Sequence, residues 1–188
     1  MTSTKIALMV AASLCLTACK EPNAPVVAPV VPEASPAPAS SPAAVASPVA
    51  PTVADSAALA ALDAEKPQAA ITCNLESGND QLFTAAAMPL KAGDSLRGWL
   101  GHDTPSALDA PRILVRDAQG ASVAAVTIVP ADPRDDVAAA NGGREDLRMS
   151  GFKAVLPQLP AGTFALVLRY RVAEQAFVCD NGRRIRID

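Results

Sequence analysis

The sequence predicts an all-β fold, one antiparallel β-sandwich over residues 68–188 that follows a disordered Pro/Ala-rich tether. Three observations predict it. Residues 163–173 alternate Phe164, Leu166, Leu168, Tyr170 and Val172 with Ala165, Val167, Arg169 and Arg171, the period of a strand with one face inward and the other at least partly outward. Short apolar runs recur between turn residues, as at Asp117-Ala118-Gln119-Gly120 and Asp180-Asn181-Gly182. The composition also shifts along the chain: the apolar share of 50% leans on Ala and Val in the first third, where no aromatic precedes Phe83. Alanine buries too little area to build a core, so the foldable part is about 120 residues, enough for one domain.

The first segment stands apart from that domain. Lys5 supplies a positive n-region and residues 6–14 an apolar stretch, too short for a bilayer span of about twenty residues. Leu16-Thr17-Ala18-Cys19 closes it with a small-residue cleavage site ending in cysteine. This tetrapeptide resembles a bacterial lipobox. The resemblance implies that residues 1–18 are a signal peptide removed before Cys19, that a diacylglyceryl thioether forms on Cys19, and that the new amino terminus is acylated. Each buried methylene contributes about 0.8 kcal/mol, and two or more chains hold firmly. Lys20, where Asp would signal retention, implies release to the outer membrane in Gram-negative lipoproteins. The expected partner is thus a membrane, reached through the lipid, and the expected place is the periplasmic face of the outer membrane.

Residues 19–52 are almost entirely Pro, Ala, Val and Ser, with prolines from Pro22 to Pro51. Such a segment cannot bury enough apolar area to offset its ordering entropy. Frequent prolines favour polyproline II at about 3.1 Å per residue, so the tether reaches on the order of 100 Å. Residues 53–67 read as a short helix or linker: Asp55 or Ser56 can cap its start, Ala57, Leu59, Ala60, Leu62 and Ala64 favour it, and Pro67 ends it.

Beyond Pro67 the predicted strands are 69–76, 82–90, 95–101, 112–117, 122–129, 151–156, 163–173, 176–179 and 184–187, with a turn at Ser77-Gly78-Asn79-Asp80 and hairpins at Gly120 and at Asp180-Asn181-Gly182. Residues 130–148 form a long polar connection with room for a helical turn. So many short strands with frequent turns suit an immunoglobulin-like or jelly-roll-like sandwich. Arg183, Arg184 and Arg186, flanked by Asp180 and Asp188, are expected on an exposed strand face.

Cys15 leaves with the leader and Cys19 is consumed by lipid, which leaves Cys73 and Cys179. An exported pair at the first and penultimate strands is expected to form a disulfide. Two thiols without a nearby His make only half a tetrahedral zinc site, so neither metal nor cofactor is expected.

The run Cys73-Asn74-Leu75-Glu76, Gly93-Asp94-Ser95-Leu96 before Gly98-Trp99-Leu100, Arg134-Asp135-Asp136-Val137, Gly151-Phe152, Gly162-Thr163-Phe164-Ala165-Leu166 and a closing cysteine resembles a β-sandwich accessory module attached to some bacterial glycosyltransferases. The resemblance covers residues 69–188 and implies the fold and a cell-surface glycan setting. It carries no catalytic residues over, and this chain departs from it in having no transferase domain.

His102, the single histidine, follows the Trp99 strand beside Asp103. Neither Gly-x-Ser-x-Gly nor a cysteine nucleophile accompanies it, and an exposed loop residue is expected. The acids Asp132, Asp135, Asp136, Glu145 and Asp146 offer carboxylate pairs for glycoside hydrolysis or calcium binding, but the interleaved Arg134, Arg144 and Arg148 favour structural ion pairs, with Arg134 and Asp136 as a latch. Trp99 shares a face with Arg97, while Leu96, Gly98 and Leu100 take the other; either core packing or sugar stacking fits it. Possible binding residues are therefore Trp99, His102, Arg134 and Asp136.

A net charge of −3 with no clustered basic face excludes nucleic acid as a partner. The expected function is a non-enzymatic lipoprotein that binds an envelope glycan or a periplasmic protein. The alternative is an inhibitor or immunity lipoprotein that neutralises a periplasmic enzyme.

Overall fold

The computed structural model describes residues 55–188; the leader, Cys19 and the tether lie outside the described residues. Helix α1 (Ser56–Ala64) opens on Asp55, whose carboxylate accepts from the Ala58 amide at 2.7 Å. Ten strands follow: β1 (Gln68–Ala69), β2 (Cys73–Gly78), β3 (Gln81–Leu82), β4 (Met88–Pro89), β5 (Ser95–Leu100), β6 (Asp109–Arg116), β7 (Ser122–Thr127), β8 (Gly151–Val155), β9 (Gly162–Val172) and β10 (Gln175–Ile187). Between β7 and β8 lie helix α2 (Asp135–Ala140) and a 3-10 turn at Glu145–Leu147.

The strands form the all-β sandwich that the alternation demands. Sheet A runs β1-β10-β9-β6-β7, with β4 also on β10; sheet B runs β3-β2-β5-β8. Pairing is antiparallel except for the two-residue strands β1 and β4, which lie parallel to β10. Leu75, Leu96, Leu100 and Phe152 of sheet B face Ile113, Leu166, Leu168, Tyr170 and Ile185 of sheet A, all fully buried in one core. The Gly120 hairpin joins β6 and β7, with the Asp117 carboxylate accepting from the Gln119 and Ala121 amides at 2.9 Å.

Three predicted elements take a different course, two because the chain passes from one sheet to the other and one because a strand runs on through a turn signal. The run 69–76 is two strands: β1 pairs with β10 in sheet A, Ile71 turns out to solvent at the crossing, and β2 pairs with β5 in sheet B. Ser77 and Gly78 belong to β2, and the turn shrinks to Asn79 and Asp80, both at positive φ. A Cβ on Gly78 would lie 2.8 Å from the Met88 sulfur, so its glycine serves packing. The run 82–90 likewise divides into β3 in sheet B and β4 in sheet A.

The expected hairpin at Asp180-Asn181-Gly182 is instead a bulge inside β10. β9, eleven residues long, pairs with both halves of β10, Cys179 opposite Leu168 and Arg183 opposite Leu166. Past the bulge, regular alternation puts Arg183 opposite Leu166 on the inner side and Arg184 and Arg186 on the other. Its guanidinium donates to the Leu75 carbonyl at 3.0 Å and the Asn74 side chain at 3.2 Å, while the Asn181 side-chain oxygen accepts from the Leu75 amide at 3.1 Å. Only Arg184 and Arg186 keep the exposed face.

The same seam carries the disulfide between Cys73 of β2 and Cys179 of β10, which ties the two sheets across 106 residues with their Cα atoms 6.5 Å apart. On the chain-entropy model a loop of that length stabilises by up to about 4.7 kcal/mol.

Candidate functional site

The predicted binding residues gather around a cover on the outer face of sheet B. Trp99 is outward on β5, where it packs against Val137, Ala138 and Leu147 of the 130–148 segment, so it belongs neither to the main core nor to open surface. Two glycines let this cover lie close. A Cβ on Gly101 would stand 2.3 Å from a Leu147 methyl, and one on Gly151 would meet the Asp132 carbonyl and the Arg134 stem below 3.0 Å.

Arg134 fastens the near end. Its two terminal nitrogens donate to the Glu76 carboxylate of β2 at 2.9 and 3.0 Å, and Nε and Nη2 donate to Asp136 at 2.8 and 2.7 Å. A planar fork with five donors suits two carboxylates at once. These hydrogen bonds push the Arg134 pKa up and hold the Asp136 carboxyl down at about 2. The expected latch is therefore present, and Glu76 is its unforeseen third member. β2 has an irregular register there, between Leu75 and Ser77, and Glu76 is the residue without a β5 partner.

Arg144 fastens the far end. It donates to the backbone carbonyls of His102 at 2.7 Å and Asp103 at 3.1 Å while pairing with Asp146. The hydrogen bond from Arg144 keeps the Asp146 pKa below the usual range. Arg148 pairs with Asp135 and Glu145. The paired acids thus act as the structural ion pairs expected of them, and the helical turn expected in the segment is present twice.

His102 departs from expectation. It is half-buried, with its ring edge-on to Phe177 at 4.5 Å and to Tyr170 at 5.8 Å, and its Nδ1 lies 3.0 Å from the Tyr170 hydroxyl. Phe177 and Tyr170 stack as a registered pair on β10 and β9. Burial first, and the Asp103 charge second, push the Tyr170 phenol up to about 12. Asp103 in turn accepts from the Thr72 hydroxyl. The inward alternation of Tyr170 was visible in the sequence; its meeting with a loop residue 68 positions away was not.

The structure brings Trp99, Arg134 and Asp136 to one cover and joins His102 to it through Arg144. Among the described residues, no group of three or more His, Cys, Asp or Glu side chains is placed to hold a metal ion.

Fold and site together define a disulfide-bridged β-sandwich with α1 packed through Leu59 on Leu114, Ala125 and Val167 of sheet A and the 130–148 segment packed on Trp99 of sheet B. No family model matches the chain, and no curated protein matches it. Among solved structures, CopC from Methylosinus trichosporium OB3b is similar over 57% of this chain and 93% of that one, at 14% identity and a TM-score of 0.28. At that score nothing carries over to this chain.

Proposed function

We propose that this protein is a lipoprotein of the bacterial envelope, anchored through Cys19 at the periplasmic face of the outer membrane, and that its sandwich binds an envelope glycan or protein instead of catalysing turnover. The observation that carries this reading is the use of the charged segment. Asp135, Asp136, Glu145 and Asp146 are each paired to an arginine of the same segment. A carboxyl held at about 2 stays ionised at physiological pH and makes a poor general acid, since efficient proton transfer needs a pKa near the working pH. His102 is engaged with Tyr170 and wedged against Phe177, which suits a structural part. The Cys73–Cys179 bridge supports an oxidising compartment, as the lipobox requires, and the resemblance to a glycosyltransferase accessory module supports a glycan setting.

The test is complementation in a strain where deletion gives an envelope phenotype. His102→Ala and Asp136→Asn are expected to restore function, and Cys19→Ala is expected to lose an alkyne fatty-acid label and its membrane attachment. Loss of function in His102→Ala while the protein stays folded and membrane-bound would overturn binding in favour of catalysis or metal dependence. Label retained on Cys19→Ala would remove the anchor.

A further inference from the structure

The outer face of sheet A is cationic beside the C-terminal end of α1. Ala165 of β9 is registered with Arg116 of β6 on one side and Arg184 of β10 on the other. Val115, Leu166 and Ile185, their neighbours along the strands, point into the core, so the three side chains share the outer face. Arg116 and Arg184 thus stand two strand spacings apart, about 9.5 Å, with one methyl group between them. Beside this row lies a depression of about 300 Å³, bordered by Ala118, Thr163, Ala165 and Arg184.

Neither guanidinium holds a carboxylate at hydrogen-bond distance. Arg184 is exposed and has no ion pair among the described residues. Arg116 stands 3.9 Å from Asp63 of α1, a carboxylate that also accepts from the Ser122 amide at 2.8 Å and hydroxyl at 2.6 Å. The Arg116 Nε is buried without a partner. By contrast Arg134, Arg144 and Arg169 each hold a carboxylate at hydrogen-bond distance, and Arg186, further along this face, holds Asp188 at 2.8 Å. Asp117 is the acid at the rim, with one oxygen occupied by the hairpin amides.

We propose that the Arg116–Ala165–Arg184 row binds an anionic glycan, with the two guanidiniums taking carboxylate or phosphodiester groups on one sugar chain and the Thr163 hydroxyl beside them. The proposal rests on the binding reading above and adds the face and the ligand class. Arginine's forked donors match both anions, and the separation of the pair suits two charges on a polymer better than two oxygens of one group. A protein partner would call for a buried apolar anchor at the centre of the contact. Among the described residues, the large exposed apolar side chains, Ile71, Leu82, Val129 and Met149, all lie outside this row.

The experiment titrates the full chain with oligogalacturonate, a glycerol-phosphate oligomer, neutral dextran and polyglutamate, at low and high salt. Binding is expected for an anionic sugar or phosphate oligomer and not for dextran, with Arg184→Gln and Arg116→Gln each weakening it by about tenfold, a loss of one charge-assisted pair. The carboxylate and phosphate arms identify which anion is taken. Arg97→Gln, on sheet B, should leave binding unchanged, and because Arg184 is exposed its variant keeps the fold if Arg116→Gln does not. Tighter binding of polyglutamate overturns the glycan in favour of an acidic protein. Binding that survives Arg184→Gln overturns this face but leaves the binding reading intact; the binding reading itself falls only if no envelope glycan or protein is retained by the full chain.

Discussion

The two covers of the sandwich are fastened in opposite senses. Over sheet A, the arginines belong to the sheet: Arg169, with only 3% of its side chain exposed, donates to the Leu62 carbonyl at 2.7 Å and pairs with Glu65 just past α1, and Arg171 reaches the same carboxylate at 3.0 Å. Over sheet B, they belong to the cover: Arg134 reaches down to Glu76, and Arg144 to the carbonyls of His102 and Asp103. Each cover also sets a small apolar cluster on its sheet, Leu59 on Leu114, Ala125 and Val167 in one case, Val137, Ala138 and Leu147 on Trp99 in the other. The position in the chain separates them further. α1 is nine residues at the entry to the domain, too short to hold as an isolated helix, whereas the second cover is bound by β7 and β8 at its ends. On these grounds the first is expected to undock locally and the second to open only with the sheet beneath it.

Leu147→Ala is the strongest way to break that distinction. Leu147 is fully buried against Gly101, and emptying such a site costs about 2–5 kcal/mol. The whole loss should appear in the global denaturation midpoint. If the midpoint held while only the amides of 135–147 exchanged faster, the second cover would be as detachable as the first.

Glu65→Ala tests the other side. It leaves Arg169 with one backbone acceptor, a defect worth about 3 kcal/mol if the charge stayed buried. Undocking of α1 returns Arg169 to water, so the effect should be faster hydrogen exchange across Ser56–Ala64 with a much smaller midpoint shift. A full global loss would show that α1 is integral to the sandwich.

Alkaline titration reaches Tyr170 in the main core, which meets His102 beneath the far end of the second cover. Tyr170 is raised to about 12 in the folded protein, against about 10 unfolded. The folded state therefore favours the neutral phenol: this stabilisation is complete below about pH 10 and is lost as the pH rises through about 12, on the order of 2 kcal/mol. Tyr170→Phe should flatten the stability profile in that window, with absorbance of the phenolate as the check.

Acid titration gives the smallest effect. Asp136 is depressed to about 2 by its hydrogen bonds from Arg134, so its contribution is present above about pH 4, the unfolded carboxylate value, and fades as the pH falls toward about 2. Its side chain is 68% exposed, and solvent screening limits the contribution to below about 1 kcal/mol. Asp136→Asn should remove that part of the acid limb and leave the midpoint at neutral pH nearly unmoved.

Local chemistry wrote much of this molecule legibly into the chain. Alternation from Phe164 to Val172, the Asp117 to Gly120 turn, the helix start at Asp55 and the two cysteines left for the domain are signals contained within a few residues or in simple counting, and each lies where the sequence places it. A period of two says that a strand has two faces, and a turn residue says that the chain bends. Neither says which sheet a strand joins. The split of 69–76 between sheets, the continuation of β10 through Asp180-Asn181-Gly182, the outward side of Trp99 and the meeting of Arg134 with Glu76 across 58 residues were decided by tertiary structure. Pairing between distant segments is selected by whether buried faces close and charges find partners. That selection depends on the whole chain at once, which no window of the sequence contains.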